Sequence, residues 1–232
     1  MAKTTKKVIF FIAEGESDKD ALYPILKKIF QTEEVHFHVV GGDITSEWLT
    51  NSKNAIKTIH EQIKHEMGLY KYRLTDIIKV IHLTDTDGAF IPDENVVAGD
   101  VKERVYEENQ IIAKNFPEMI ERNHRKSQVL QKLFLCKEIN SLPYTVYYFS
   151  RNREHVLHNI NAELSPDEKM DYADQFAETY KDHAEEFIHF LSNSDFTVRG
   201  DYKETWDFIF IGTNSLHRHC NLHLLFPEAH KK

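Results

Sequence analysis

Two carboxylates one residue apart, Asp85 and Asp87, follow the apolar run Val80-Ile81-His82-Leu83 and precede Gly88. Residues two apart on an extended chain project to the same side, so the pair is expected to converge on one spot. Converging like charges oppose each other's ionisation unless a cation lies between them. The chemistry this spacing suits is the binding of a hard divalent cation through oxygen, Mg²⁺ in the first place and Mn²⁺ as its substitute. A calcium loop does not fit, because the later Asp, Gly and Glu positions of such a loop are not met after Asp87. The plainer alternative is a strand ending in a polar turn, since Asp and Gly are favoured turn formers.

Something must hold the pair at an edge. Ile77 to Leu83 has the apolar, β-branched character of a buried strand, and Asp and Gly are poor strand residues, so the strand should end near Asp85. A second apolar run, Val8 to Ala13, ends at Glu14-Gly15. After it, Ser17 and Asp20 resemble a capping box, and Ala21, Leu22, Ile25, Leu26, Ile29 and Phe30 form a helical stripe. Val35 to Val40 reads as a strand closed by Gly41-Gly42. A long helix is expected over 46–67, with Trp48, Leu49, Ile56, Ile59, Ile63 and Met67 on one side. The order β-α-β-α-β implies a parallel sheet flanked by helices. If the first and third strands are neighbours, Glu14 reaches the same sheet edge as Asp85 and Asp87, where open α/β sheets place their ligands.

Further on, 90–100 reads as a polar loop and 101–138 as mostly helical, broken by Pro117. Thr145 to Ser150 reads as a fourth strand. Ser165-Pro166-Asp167-Glu168 is a helix start, with the helix expected to run to about Ser192. The expected fold class is α/β, a central, mainly parallel, Rossmann-like sheet flanked by helices, with an additional C-terminal helical region. The core would span 1–160 with a helical insert around 101–142, and 161–232 would be a mostly helical extension packed on it.

Composition narrows the classes of function. The chain has 232 residues, 41% of them hydrophobic, which is enough for a full core. Its net charge of −8 excludes a globally basic nucleic-acid-binding surface and leaves that role to local patches or bound metal. Cys136 and Cys220 show no CxxC spacing and fit a reducing compartment without a disulfide framework. The run Val8–Ala13 is too short for a secretory h-region, and no stretch approaches the roughly 20 apolar residues that cross a bilayer. A cytoplasmic protein with no membrane partner is expected.

The pairing of Ile12-Ala13-Glu14-Gly15-Glu16-Ser17-Asp18 with Leu83-Thr84-Asp85-Thr86-Asp87-Gly88 resembles the two signature motifs of TOPRIM domains. Those domains are shared by bacterial primases, topoisomerases, an rRNA-maturation ribonuclease and the OLD-family nucleases, and the likeness covers about residues 7–160. The resemblance is greatest to the OLD-family, anti-phage-defence type. It implies a Mg²⁺-dependent nuclease cutting DNA or RNA, with Glu14 as general acid/base or metal ligand and Asp85 and Asp87 as ligands. Asp18 and Glu154 are the positions it adds to the metal set; the alternatives for them are helix capping and a solvated helix-start acid. An ATPase partner, where one exists, is a separate chain, because no GxxxxGK[ST] motif occurs here. The reading leaves a homo-oligomer open.

Arg151 and Arg153 suit phosphate recognition, against the alternative of ordinary surface charge. Arg122, Arg125 and Lys126 suit a nucleic-acid backbone, against that of a solvated helix face. Of His217, His219, Cys220 and His223, the i, i+4 pair His219 and His223 with Cys220 lacks a convincing fourth zinc ligand, since His217 and His219 do not share a helical face, so packing and hydrogen bonding are expected of them. Two other readings compete with the nuclease. One is a haloacid-dehalogenase-like phosphatase, whose Asp-x-Asp-Gly start Asp85-Thr86-Asp87-Gly88 also resembles; the other is a non-catalytic binding or regulatory module.

Overall fold

A computed structural model describes residues 7–226. The ends of the two expected regions, 1–6 and 227–232, lie outside the described residues.

The apolar runs become strands β1 (Val8–Ala13), β2 (Glu34–Val39), β3 (Ile77–Asp85) and β8 (Leu142–Phe149), all mutually parallel in the order β2-β1-β3-β8. A short strand β7 (Glu138–Ile139) adds antiparallel at the β8 edge. The chain leaves β1 for β2 through helix α1 (Glu16–Ile29), then crosses to β3 through helix α2 (Ala55–Tyr70). Because it moves in opposite directions from β1, right-handed crossovers put the two helices on opposite faces. The strand order therefore reverses between the carboxyl ends of β1 and β3. The fold is α/β with a mainly parallel, Rossmann-like sheet, as the alternation of elements implied.

Side-chain alternation builds two cores. Ile9, Phe11, Ile81, Leu83 and Phe149 face α1 together with α5 (Pro166–Tyr180) and α6 (Ala184–Asn193). Phe10, Ile12, Val80, Val146 and Tyr148 face α2, α3 (Phe116–Phe134) and α7 (Tyr202–Ile209). Helices beyond residue 160 thus complete both layers. Between β3 and α3 lies a small sheet of β4 (Val96–Ala98), β5 (Val105–Tyr106) and β6 (Ile111–Ala113), ordered β4-β6-β5. Helix α4 (Arg153–His158) follows β8.

Several local expectations shift. The helix expected over 46–67 begins only at Ala55, and Trp48 and Leu49 are exposed rather than on its buried side. Asn side chains explain this: Asn51 Oδ1 accepts from the Lys53 amide, Asn54 Oδ1 accepts from the Asn51 amide, and Asn54 Nδ2 donates to the Leu49 carbonyl. Such local bonds offer the backbone an alternative to the helix. In the segment 101–138 the helix is confined to Phe116–Phe134, after the short strands β5 and β6; Pro117 lies in the first turn of α3 rather than breaking it, as suits a residue without an amide hydrogen. The expected polar loop 90–100 contains β4. The Ser165 capping box forms as expected, but the helix ends at Tyr180 and a second runs over Ala184–Asn193. The 206–211 run, open between strand and helix by period, lies mostly within α7.

The histidine-rich tail is a strap across the carboxyl ends of β3 and β8. The Ser215 carbonyl accepts from Thr86 Oγ1 at 3.1 Å and the His219 carbonyl from the Ser150 amide at 2.8 Å. Cys220, buried, bridges to both Phe149 and Thr197. The strap crowds Gly88, whose φ is +67° and where an added Cβ would come within 2.5 Å of the Leu216 Cδ2 methyl, so that the Leu216 side chain would have to shift. Gly88→Ala is expected to cost about 1–3 kcal/mol through the left-handed backbone and overpacking. A lower urea midpoint at unchanged slope would register the loss.

Candidate functional site

The strand reversal between β1 and β3 is where open α/β sheets bind ligands. Glu14, one residue past β1, is there joined directly to β3: its Oε1 accepts from Thr84 Oγ1 at 2.9 Å and from the Asp85 amide at 3.1 Å. The register follows from the pairing of Ile12 with His82, which brings the two strand ends level.

The expectation that Asp85 and Asp87 point the same way does not hold. The strand stops at Asp85, the Thr86 amide bonds the Phe149 carbonyl, and Asp87 adopts a left-handed φ of +48°. Alternation therefore ends, and the Asp87 carboxylate swings toward α3. There Lys126 Nζ meets Asp87 Oδ2 at 2.7 Å and Asp43 Oδ2 at 2.6 Å, while Arg122 Nη2 pairs with the same Asp87 oxygen. Asp43 is held from its other side by the Thr45 amide at 2.9 Å. Asp85 keeps the direction of Ile81 and Leu83, toward the α1 side.

On that side a second clamp forms. Arg153 Nε contacts Asp18 Oδ1 and its Nη2 contacts Glu154 Oε1, each at 2.7 Å. Asp18 is also the N3 residue of α1, accepting from the Gly15 amide at 3.0 Å. Helix capping and a place at the site are thus the same contact set. The helix starts two residues earlier than the Ser17–Asp20 box suggested, because Gly15, extended and directly after the strand end, is the N-cap.

The expected residues are brought to one sheet edge, but differently partnered. Asp87 and Asp43 lie in one basic clamp, Asp18 and Glu154 in another, and Glu14 and Asp85 lie between, with no ion-pair partner among the described residues. Electrostatics follow this division. Burial, then Asp43 and the other nearby carboxylates, raise Glu14 well above the usual carboxylate range, only partly offset by Lys126. Burial, then Glu14, Asp18, Asp87 and Glu154, raise Asp85 likewise. Burial alone would raise Asp87 too, but Lys126 and Arg122 outweigh it and hold that carboxyl well below the range. Burial would lower Lys126, yet Asp43 and Asp87 keep it a firm ammonium.

Arg151 and Arg153 are not surface charge; both are buried, Arg153 fully. Desolvating a guanidinium is tolerated only with partners. Arg153 has its two acids. Arg151 hydrogen-bonds Asn161, and its guanidinium lies 4.8 Å from the centre of the Tyr106 ring. Nor is α3 a solvated basic face, since Lys126 has no exposed surface and points inward with Arg122.

Asp43 is the site member that sequence reasoning missed, and the inward, carboxylate-clamping role of Arg122 and Lys126 was missed with it. A signal existed for each: Gly41-Gly42-Asp43 closes a strand with Gly and an acid, as Glu14-Gly15 and Asp87-Gly88 do, and Arg122 and Lys126 stand four apart on one helical face.

An all-carboxylate set suits a hard divalent cation. As arranged, no three His, Cys, Asp or Glu side chains among the described residues are gathered to hold one. The two unpaired carboxylates, Glu14 and Asp85, are the residues that fit. Asp87 fits only if Lys126 and Arg122 release it. The tail histidines form no zinc-binding group among the described residues; His217 Nε2 bonds the Glu108 carbonyl and the His219 ring packs on Phe208. No helix of the described residues is long and apolar enough to cross a membrane. No protein-family model, curated protein or solved structure matches the chain.

Proposed function

We propose that this protein is a Mg²⁺- or Mn²⁺-dependent nuclease of TOPRIM type, hydrolysing phosphodiesters in nucleic acid. The observation that carries the reading is the direct bond from the Asp85 amide to Glu14 Oε1 at the strand reversal, with both carboxylates lacking a cationic partner among the described residues. Buried like charges left uncompensated are costly, and such groups cluster where chemistry is done. Glu14 and Asp85 would hold the cation, joined by Asp18 or Glu154 when Arg153 yields one of them. Bound there, a divalent cation supplies positive charge to a phosphate and makes water more acidic.

The chain's own residues do the rest. Where it is not itself a ligand of the cation, Glu14, raised above the ordinary carboxylate range by burial and then by Asp43, is suited to take and return a proton. Lys126 and Arg122 neutralise Asp43 and Asp87, so that an anionic backbone approaches against less repulsion. A cytoplasmic role in anti-phage defence, with the ATPase on a separate chain, is part of the proposal and rests on the motif resemblance.

Purified protein incubated with plasmid, single-stranded DNA and tRNA, with Mg²⁺, Mn²⁺ or EDTA, tests it. Cleavage that needs the metal and disappears in Asp85→Ala and Glu14→Gln is expected. Turnover of a phosphate monoester that survives Glu14→Gln would point to the phosphatase instead. A second reading, a non-catalytic binding module, is favoured by one feature: Asp87 is already neutralised by side chains. Nucleic-acid or protein binding without cleavage under any metal condition would select it.

A further inference from the structure

The two most exposed large apolar side chains of the described residues are neighbours, Trp48 at 77% and Leu49 at 81%. They stand in the loop between β2 and α2, five and six residues after Asp43. That loop is tied to α3 by Arg125, whose Nη2 donates to the Ser46 carbonyl at 3.1 Å and whose guanidinium lies 5.2 Å from the centre of the Trp48 ring. Arg125 directly precedes Lys126, which grips Asp43 and Asp87. An indole is thus anchored through a cation to the helix that closes one side of the carboxylate site, yet most of its surface meets solvent. A tryptophan in this setting gains nothing for the core, and exposing it costs solubility.

We infer that Trp48 is a stacking platform for an unpaired base of single-stranded nucleic acid. Every base offers a π-face, and stacking on an aromatic ring beside an arginine is sequence-tolerant. A base inside a duplex has both faces covered by its neighbours, so the platform selects single strands, loops and ends. The charge arrangement agrees: Arg125 lies over the ring with Nη2 on the Ser46 carbonyl and no ion-pair partner among the described residues, so its positive charge favours a phosphate next to the stacked base. The inference deepens the nuclease reading by naming its substrate form, and it can fail separately.

The test is binding in EDTA, where cleavage plays no part, with a fluorescein-labelled dT12 and the same strand annealed to dA12. The chain has two tryptophans, and Trp206 is fully buried, so an emission change on adding unlabelled dT12 reports on Trp48. Quenching by dT12 is expected, together with a loss of about 5- to 100-fold in dT12 affinity in Trp48→Ala and a smaller loss in Trp48→Phe. Duplex affinity should change little. Equal dT12 affinity in Trp48→Ala and wild type, or no binding of dT12 at all, overturns the platform. So does Trp48 emission that responds to protein concentration alone, which would mark a contact with a second copy. Metal-dependent cleavage intact in Trp48→Ala with unchanged dT12 affinity would remove the platform and leave the nuclease reading standing. Trp48-dependent dT12 binding with no cleavage under any metal condition would do the reverse.

Discussion

Lys126→Ala is expected to destabilise the protein by about 3–5 kcal/mol, the cost of stranding buried charge by removing one partner of an ion pair. Lys126 has no exposed surface, and its ammonium is the closest positive charge to Asp43, at 2.6 Å, while also meeting Asp87 at 2.7 Å. Arg122 remains beside Asp87 but stands 3.6 Å from Asp43, so Asp43 carries most of the loss. If Glu14 and Asp43 are then left without close compensation, a divalent cation should restore part of the stability, because anything that binds only the native state stabilises it. Thermal melts of Lys126→Ala with Mg²⁺ and with EDTA check this. A difference in melting temperature no larger than in wild type would show that the ammonium does not stand where a cation can act.

Glu14→Gln and Asp85→Asn are expected to abolish cleavage, by about 10²–10³-fold or more, while raising stability. The amide oxygen that Glu14→Gln introduces would still accept from Thr84 and from the Asp85 amide, so geometry is kept and only charge is removed. The pH dependence has a definite sign. Glu14 sits above its ordinary range because of burial and then Asp43, so the native state retains a proton the unfolded chain has released. The stability this gives is fully present below about pH 4 and is lost as pH rises through the raised value. The advantage of Glu14→Gln over wild type should therefore grow from pH 4 toward neutrality, by about 2–4 °C in melting temperature per kcal/mol for a chain of this size. A variant that melts lower than wild type at neutral pH would mean that Glu14 carries no penalty, and the uncompensated pair would have to be abandoned.

How much of the site was legible depends on the range of the interactions involved. Glu14-Gly15 and Asp85-x-Asp87-Gly88 stand out because each ends an apolar run. A parallel pairing of the two runs was enough to bring Glu14 to Asp85. Asp43 carried the same strand-end signal, but the helix expected from residue 46 masked it. The reach of Asn51 and Asn54 to nearby backbone groups, which holds that helix off until Ala55, is a local effect not visible in apolar periodicity.

By itself the sequence determined the α/β class, the parallel sheet and the two strand ends where carboxylates gather, because apolar periodicity and turn chemistry act over a few residues. Only the tertiary structure decided how those carboxylates are partnered. Asp85 and Asp87 share a motif but not a direction, since the turn after the strand is set by bonds to Phe149 and Arg151, far along the chain. Lys126, Arg122 and Arg153 read in one dimension as phosphate or nucleic-acid contacts or as solvated charge, and folding carried them inward as clamps on carboxylates. The physical reason is that the burial of an ion depends on partners distant in the chain, and no local pattern encodes the distance to them.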